Sequence, residues 1–394
     1  MPDSGGVTVL DDLPNWIVVE EILVRLPPKD LLRCRAVRKC WRTATSTDKF
    51  ILDHHRRQPL LPILVHAPDH RNRRFFVSRD AGVGLQQLCP VLRSYDYSQL
   101  EAASDGLLVV SHGLGHEFFI CNPVTRKCAP LWKPESRQGF RHHIDGLYQH
   151  QPSGECRVLW GIRPKYYDAS DRDYKTFYYV IAVGSNNPRC IRQACVPLPV
   201  VSFPSLELTL RDGLPSSSFN PPLHHRGSLH WVLGNYHGCD EGYIMVFDTA
   251  AETFRLMRRP AQLHPLGLSL FEMDATLALL NISSDANTID VWVIQDYDAE
   301  TWSFKNRINL SAVDPKVMCP RMGVLNEGEL LIQFGLRRML RYDMDGKLLG
   351  YVKSEEGQEI DLWITKHYLQ ESVIPLPLFH ETREEDKPLF FVGL

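Results

Sequence analysis

A turn signal that recurs along the second half of the chain constrains its fold most strongly. In "YIMVFDTAAETFRLM", Asp248 follows a run of strand-forming residues and the aromatic Phe254 lies six positions later. "DVWVIQDYDAETWSF" repeats this arrangement with Asp296, 48 residues further on, and "MLRYDMDGKLLGYV" places Asp343 another 47 residues along. Repeats of about 40 to 50 residues are typical of the four-stranded blades of a β-propeller.

Three further turn signals extend the repeat toward the N-terminus. "FFICNPVTRKCAPL" predicts a turn at Asn122 and "YYVIAVGSNNPRCIRQ" predicts one near Ser185; steps of 63 residues separate Asn122, Ser185 and Asp248, so these blades should carry insertions. "ILVHAPDHRNRRFFV" predicts a hairpin near Asp69. Six units predict a large all-β domain over residues 60–380, a six-bladed β-propeller whose closure protects its strand edges. Within it, residues 364–372 alone show a pattern typical of a helix.

The segment before the repeats has a helical period. Residues 13–42 read "LPNWIVVEEILVRLPPKDLLRCRAVRKCWR". Pro27 and Pro28 should end a first helix and begin a second, and a third should run through Val37 and Trp41. The first helix carries two adjacent apolar stripes, one of Val19, Leu23 and Leu26 and the other of Val18 and Ile22. The chain is therefore predicted to be an α+β protein of two domains, a three-helix module over residues 10–55 followed by the propeller.

This helical module is too small to bury both stripes by itself. A unit of about 45 residues has little interior and usually needs a staple, a metal or a partner, and the sequence shows no disulfide or metal pattern for it. The surplus apolar face then has two explanations. It docks a partner protein, or it packs against the C-terminal part of the same chain. Docking predicts that module and propeller have separate cores.

The residues of the module resemble the F-box, the adaptor-docking domain of cullin-RING ubiquitin ligases. The similarity runs through Leu13-Pro14, Glu21-Ile22-Leu23, Arg25-Leu26-Pro27, Leu31-Leu32-Arg33-Cys34-Arg35, Val37, Lys39, Trp41-Arg42 and Phe50-Ile51, in the order of the plant-type motif. Asn15-Trp16 and Ala44 depart from that motif. The resemblance implies that a set of nine residues divides between adaptor contact and the module's own core: Leu13, Pro14, Ile22, Leu26, Pro27, Leu31, Leu32, Val37 and Trp41.

The repeat region resembles the plant F-box-associated domain. The matching segments are Ser104-Asp105-Gly106-Leu107-Leu108, Cys121-Asn122-Pro123-Val124-Thr125-Arg126, Leu229-His230-Trp231, Val246-Phe247-Asp248, Val291-Trp292-Val293, Asp296-Tyr297 and Trp302. The double glycine of kelch repeats is absent from the repeat region. Asn122 and Asp248 are expected to cap tight turns, and Trp231, Trp292 and Trp302 to fill the spaces between blades.

Together the two resemblances imply the substrate-recruiting subunit of a cullin-RING ligase. It would be non-catalytic, bind a Skp-type adaptor and through it the cullin scaffold, and present an unknown client protein. The predicted insertions make Tyr166, Tyr167 and Phe203 candidates for client contact, because exposed aromatic residues on loops are common in binding sites. Two alternatives stay open. One is a propeller enzyme or glycan-binding protein that the F-box regulates, and the other is an adaptor-binding protein that assembles no ligase.

Composition and motifs argue against other classes of function. The net charge of −3 over 394 residues is not that of a nucleic-acid-binding protein. We expect no membrane span and no secretory signal, and hence a soluble protein in the cytoplasm and/or the nucleus. The ten cysteines include no Cys-x-x-Cys pair. His112 and His116 flank two glycines that disfavour a metal-binding helix, and the acidic segment 168–173 lacks the pattern of a calcium loop. We therefore expect neither metal nor cofactor, and no catalytic residues.

Overall fold

The computed structural model describes sixteen stretches of the chain, and every structural statement below concerns these residues. They are 13–66, 73–78, 85–88, 99–113, 115–136, 138–165, 175–191, 206–215, 220–233, 242–263, 267–283, 287–310, 321–324, 329–334, 338–352 and 362–376.

Four helical segments come first among the described residues. The first contains three kinds of helix in succession: α1 (Asn15–Ile17), a π-helical turn (Val18–Ile22) and a 3₁₀ turn (Leu23–Arg25). Pro27 adopts an extended conformation and Pro28 opens α2 (Pro28–Val37), as predicted. Arg38 is extended and separates α2 from α3 (Lys39–Thr45). The last segment, α4 (Asp48–Arg56), is a helix beyond the three that were predicted. The Thr47 hydroxyl caps its N-terminus by accepting from the Phe50 N–H at 3.3 Å.

Six four-stranded antiparallel sheets follow, and they form the predicted six-bladed β-propeller. Blade 1 combines β1 (Leu60–His66), β2 (Arg74–Ser78) and β3 (Leu85–Gln87) with the last strand, β24 (Leu362–Gln370). Blade 2 contains β4 (Gln99–Ser104), β5 (Leu107–His112), β6 (Glu117–Asn122) and β7 (Lys127–Pro130). Blade 3 contains β8 (Phe140–His150), β9 (Glu155–Pro164), β10 (Phe177–Ala182) and β11 (Arg189–Cys190).

The other three blades are built in the same way. Blade 4 contains β12 (Leu223–His225), β13 (Ser228–Val232), β14 (Tyr243–Asp248) and β15 (Thr253–Arg258). Blade 5 contains β16 (Leu268–Met273), β17 (Thr276–Ile282), β18 (Thr288–Asp296) and β19 (Thr301–Asn309). Blade 6 contains β20 (Arg321–Val324), β21 (Leu330–Phe334), β22 (Arg338–Tyr342) and β23 (Leu348–Tyr351). A short helix, α5 (Leu206–Asp212), lies between blades 3 and 4 and was not predicted.

The ring closes by pairing the two ends of the propeller sequence. β24 pairs antiparallel with β1, from Leu60 opposite Gln370 to His66 opposite Leu362. The predicted helical pattern at residues 364–372 is therefore wrong, because the apolar residues that suggested it belong to a bulged strand buried in the sheet.

The recurring Asn and Asp residues cap the turn between the third and fourth strands of their blades. Each side-chain Oδ1 accepts from two backbone N–H groups: those of Val124 and Thr125 at Asn122, and those of Ala250 and Ala251 at Asp248. Asp296 accepts the same pair of bonds in blade 5, from the N–H groups of Asp298 and Ala299. In blade 6, Asp343 Oδ1 accepts from the N–H groups of Asp345 and Lys347. The predicted capping role of Asn122 and Asp248 is confirmed.

Apolar residues of neighbouring blades meet in shared clusters. Trp231 is buried with Tyr148 and Leu159 of blade 3 and Phe247 of its own blade. Trp292 and Trp302 pack against the cluster between blades 4 and 5, and the Trp302 indole N–H donates to the Arg258 carbonyl at 2.9 Å. The inter-blade placement predicted for these tryptophans is confirmed.

Candidate functional site

The four helical segments expose apolar side chains on their outer surface. Val37 at the end of α2 is 70% exposed and Trp16 in α1 is 60% exposed. Leu13 and Ile22 are each 36% exposed, and Pro14 and Pro27 are also exposed. A side chain as exposed as Val37 buries little apolar area in the isolated chain. Contact with another protein would remove that area from water, which is favourable.

The other members of the nine-residue set point inward or lie at the edge. Leu31 is fully buried and Trp41 is buried, and both belong to the core of the helices. Leu26 and Leu32 are half-buried and pack against the same core. Structure thus divides the set: Leu13, Pro14, Ile22, Pro27 and Val37 are open to a partner, whereas Leu31 and Trp41 hold the helices together.

Polar contacts fix the helices relative to one another. The Arg35 guanidinium in α2 donates to the Thr45 hydroxyl at 2.9 Å and also to the Thr45 carbonyl at the end of α3. His54 Nε2 in α4 bonds to the Leu26 carbonyl at 2.8 Å. Burial lowers the pKa of His54, which favours the neutral imidazole at this position. The surface that α1, the 3₁₀ turn and α2 present is therefore held in one arrangement.

The helical core also includes residues of the propeller. Val124, in the capped turn of blade 2, and Val373, just after β24, are buried in the same cluster as Val18, Leu23 and Phe50. The prediction that helices and propeller have separate cores is wrong, because part of the surplus apolar face packs against the same chain. The buried residues come from both predicted stripes, Val19 and Leu23 from one and Val18 from the other, whereas Ile22 stays exposed.

Hydrogen bonds reinforce this junction between helices and propeller. The Asn122 amide, besides capping its turn, donates through Nδ2 to the carbonyls of Ser372 at 3.1 Å and Ile374 at 2.9 Å. Gln370 Nε2 donates to the Gln58 carbonyl at 3.0 Å. The segment after β24 is thereby fixed between blade 2 and the helices.

A contact between a histidine and a carboxylate lies at the same junction. His55 Nε2, at the end of α4, is 3.5 Å from Asp105 Oδ1 in the turn between β4 and β5. Burial alone would raise the pKa of Asp105, but the hydrogen bond from His55, the nearby His224 and the Ser104 hydroxyl together lower it. Asp105 therefore stays a carboxylate at neutral pH and holds the end of the helical module to blade 2.

The channel at the centre of the propeller contains a cavity of about 460 Å³. It is lined by residues of the innermost strands of all six blades, β4, β8, β12, β16, β20 and β24. Asp105 of the junction and Leu60 at the start of β1 also line it, so the cavity lies at the junction end of the channel. Sequence reasoning missed this cavity, because its residues come from six strands that are far apart in the chain.

The client-contact candidates Tyr166, Tyr167 and Phe203 lie outside the described residues. Strand β9 ends at Pro164, before the first two candidates, and strand β10 begins at Phe177, after them. Both of these strand ends lie at the propeller end away from the junction. Helix α5 lies at this far end too, since the Thr176 N–H donates to the Arg211 carbonyl at 3.0 Å.

Metal-binding clusters and membrane-spanning helices are both absent from the described stretches. No group of three or more His, Cys, Asp or Glu side chains among them could hold a metal ion. None of the helices in this part of the chain is long and apolar enough to cross a membrane. His112 and His116, considered above as a metal pair, flank a turn in which the His116 N–H donates to the His112 carbonyl at 3.1 Å.

Comparison with known sequences decides the family. The profile of the family described as "F-box associated beta propeller domain" matches residues 85–334, more than half of the chain. The chain belongs to this family. The F-box protein At5g49610 of Arabidopsis thaliana is 24% identical over 377 residues, covering 91% of this chain and 96% of the relative. The F-box protein CPR1 of the same plant is 22% identical over 363 residues, covering 86% of this chain and 84% of that protein.

These relatives make the chain a plant F-box protein with an F-box-associated propeller, as the resemblance implied. Its four N-terminal helical segments are compatible with an F-box. A solved protein from Desulfotomaculum acetoxidans DSM 771, described as functionally unknown, aligns with 77% of this F-box protein and 98% of its own chain, at a TM-score of 0.40 and 13% identity.

Proposed function

We propose that this F-box protein is the substrate-recruiting subunit of a cullin-RING ubiquitin ligase, working in the cytoplasm and/or the nucleus. Its helices would dock a Skp-type adaptor, the adaptor would bind the cullin scaffold, and the propeller would hold a client protein. The observation that carries the proposal is the open apolar surface on the helices of a chain whose relatives are named F-box proteins.

The proposed adaptor surface consists of Leu13, Pro14, Ile22, Pro27 and Val37. Leu13, Pro14 and Ile22 lie at or just before the first helical segment, and Pro27 and Val37 lie at the two ends of α2. The buried residues Leu31 and Trp41 pack these helices together. A partner that covers them would remove apolar area from water, each fully buried side chain of this size contributing about 1.5 to 3 kcal/mol. Leu26 and Leu32 would lie at the edge of that contact.

The proposed role of the propeller is to position the client. The adaptor surface belongs to the module at the junction end, while the long insertions around residues 166–174 and 192–205 begin at the far end. A client bound there would be held at a set distance from the ligase machinery. Such tethering raises the effective concentration of the client's lysines and accelerates transfer without a catalytic side chain in this protein.

The test is co-expression of the full chain with a Skp-type adaptor and the cullin scaffold, followed by affinity purification. We expect both proteins to be recovered with the wild type. Val37→Glu and Ile22→Glu should each reduce adaptor recovery at least tenfold, because a charge would be buried in an apolar interface. The matched control is Leu349→Glu in β23, which alters a propeller leucine whose exposure, 41%, lies between those of Ile22 and Val37, and it should leave recovery unchanged.

The full chain is required because Val124 and Val373 complete the core of the helices. Leu31→Glu is unsuitable as a docking variant, since Leu31 is fully buried and its loss would unfold the module. Wild-type levels of adaptor with Val37→Glu and Ile22→Glu would refute the proposed surface. Recovery of adaptor without cullin would support an adaptor-binding protein that assembles no ligase.

A further inference from the structure

The channel cavity has features that adaptor docking and client tethering do not use. It encloses about 460 Å³, within the range of sites that bind small molecules. Its walls are partly apolar, with Leu223, Leu268, Leu270, Phe271, Met322 and Val324 among the residues that line it. A lysine, Lys366 of β24, lies among them.

Lys366 stands at an irregular point of its strand. Ile364 pairs with Leu64 and Tyr368 pairs with Pro62, so the three residues 365–367 of β24 lie opposite a single residue of β1. Lys366 adopts a φ of 62°, a left-handed conformation that side-chain-bearing residues rarely take. Bulges of this kind redirect side chains and often lie next to functional sites.

Thr365 supports the bulge from within the sheet. Its hydroxyl donates to the Ile63 carbonyl at 2.6 Å and accepts from the His367 N–H at 3.1 Å. These two bonds replace the regular ladder at the irregular point and stabilise the unusual conformation of Lys366. The lysine is therefore directed toward the channel by a built feature of the backbone.

The hydrogen-bond acceptor of the Lys366 ammonium is a neutral side chain. Its ammonium donates to the amide oxygen of Asn220 at 3.0 Å. Burial, and secondarily the positive charge of Arg321 on β20, lower the pKa of Lys366 to about 8. Arg321 itself donates to the Ile364 carbonyl at 3.2 Å and stacks over Trp363. Two cations on adjacent innermost strands repel each other, and a bound anion would relieve that repulsion.

The acidic groups in the cavity wall each have a histidine partner. Among the described residues that line the cavity, the carboxylates belong to Asp105, which is 3.5 Å from His55, and to Glu272, which is 3.1 Å from His225. Besides these and Lys366, the titratable residues in the lining are Tyr148, His224, Arg226, His230, His367 and Tyr368. The carboxylates are thus engaged at blades 2 and 5, whereas Lys366 faces the cavity from blade 1.

We propose that the channel cavity binds a small organic anion, a carboxylate or a phosphate attached to an apolar body, with Lys366 as the contact for its charge. The apolar residues of β16 and β20 would cover the body, and the ammonium would bind the anionic group by a charge-assisted hydrogen bond. This inference is independent of the ligase role, because it uses none of the helical surface.

Binding of simple anions to the full chain tests the proposal. Benzoate and inorganic phosphate are the anionic probes, and benzamide is the neutral counterpart of benzoate. We expect at least one of the two anions to raise the melting temperature and to bind in calorimetry at concentrations up to about 10 mM, with benzamide at least tenfold weaker than benzoate. Equal binding of benzoate and benzamide, or binding of neither anion, would overturn the proposal.

Two variants connect that binding to the lysine. Lys366→Gln keeps a donor for Asn220 but removes the charge, and it should weaken the anion about tenfold or more. Lys305→Gln changes a lysine on the outer strand β19 and should bind like the wild type. Unchanged affinity in Lys366→Gln would refute the assigned contact.

A second measurement on the wild type covers the case in which Lys366→Gln does not fold. Brief acetylation with acetic anhydride, followed by mass spectrometry, gives the reactivity of each lysine. The anion that binds should slow acetylation of Lys366 severalfold, benzamide should not, and Lys305 serves as the reference. Equal acetylation of Lys366 with and without the bound anion would show that the anion binds elsewhere.

Discussion

Lys366 shows how a single residue can oppose the stability of the fold that contains it. Its ammonium is moved out of bulk water beside another cation, and its backbone adopts a left-handed conformation. Both effects disfavour the folded state. A methionine of similar length would keep the packing of the aliphatic stem while removing the charge.

We therefore expect Lys366→Met to increase the free energy of unfolding at pH 7 by about 1 to 2 kcal/mol in buffer without small anions. A folded-state pKa near 8 lies below that of an unfolded lysine. The wild type thus regains stability as pH rises from about 8 to about 10.5, and the advantage of the variant disappears over that window. Denaturant unfolding at pH 7 and at about pH 10 measures both values. A less stable variant at pH 7 would contradict the burial argument.

Gly161 provides a second test at the scale of one residue. It lies on β9 against the carboxylate of Asp145, which is fully buried and accepts from Arg163 at 2.5 Å. A Cβ at residue 161 would collide with Asp145 Oδ2. We expect Gly161→Ala to lower the free energy of unfolding by about 3 kcal/mol or more, because it disrupts a buried ion pair.

The control for that substitution is Gly323→Ala on β20. Its added Cβ would be 3.4 Å from Ile364 Cγ2, which is ordinary packing, and it should change stability by less than about 1 kcal/mol. Thermal unfolding of the two variants gives the comparison. Similar losses in both would mean that the general cost of altering a strand glycine dominates, and not the Asp145 contact.

At the scale of elements, the capped turn is the repeating unit of the propeller. The side chains of Asp248 and Asn122 satisfy the same pair of N–H groups in blades 4 and 2. We expect Asp248→Ala to cost about 1 to 2 kcal/mol and Asp248→Asn to cost less than about 0.5 kcal/mol, because asparagine retains the accepting oxygen. Denaturant unfolding distinguishes them, and equal losses would show that the carboxylate charge matters more than the cap.

The capped turns also explain why the blades could be predicted from the sequence. A side chain that bonds to its own backbone is a local feature, and blades 2, 4, 5 and 6 repeat it at or just after the end of their third strand. Asp69, where a hairpin was predicted, lies outside the described residues, but β1 and β2 on either side of it pair antiparallel as the second and third strands of blade 1. That offset arises because β24 supplies the innermost strand of blade 1 from the other end of the chain.

The features that sequence reasoning missed depend on distant contacts. The apolar spacing of residues 364–372 suggested a helix, but pairing with β1 and the Thr365 bonds impose a bulged strand. Likewise, the apolar spacing of the first helix does not indicate which of its residues contact Val124 and Val373. The channel cavity could not be predicted for the same reason, since six separate strands form it.

At the scale of the whole molecule, the propeller supports the proposed adaptor surface. Val373 lies outside the helical module but is buried in its core. We expect Val373→Asp to reduce adaptor recovery at least fivefold although it is not among the residues proposed to touch the adaptor, because a buried unpaired charge costs several kcal/mol. Leu349→Glu again serves as the control. Normal recovery with Val373→Asp would show that the helices fold without the propeller.

The pairing of β24 with β1 also sets an order of events during protein synthesis. The helices leave the ribosome before the propeller, but Val373, which completes their core, is made long after them, and so is the strand that closes the ring. At about 5 to 20 residues per second, the early helices wait for at least about fifteen seconds before Val373 exists. A chain that stops before residue 362 lacks both, so an interrupted product would compete poorly with finished chains for the adaptor.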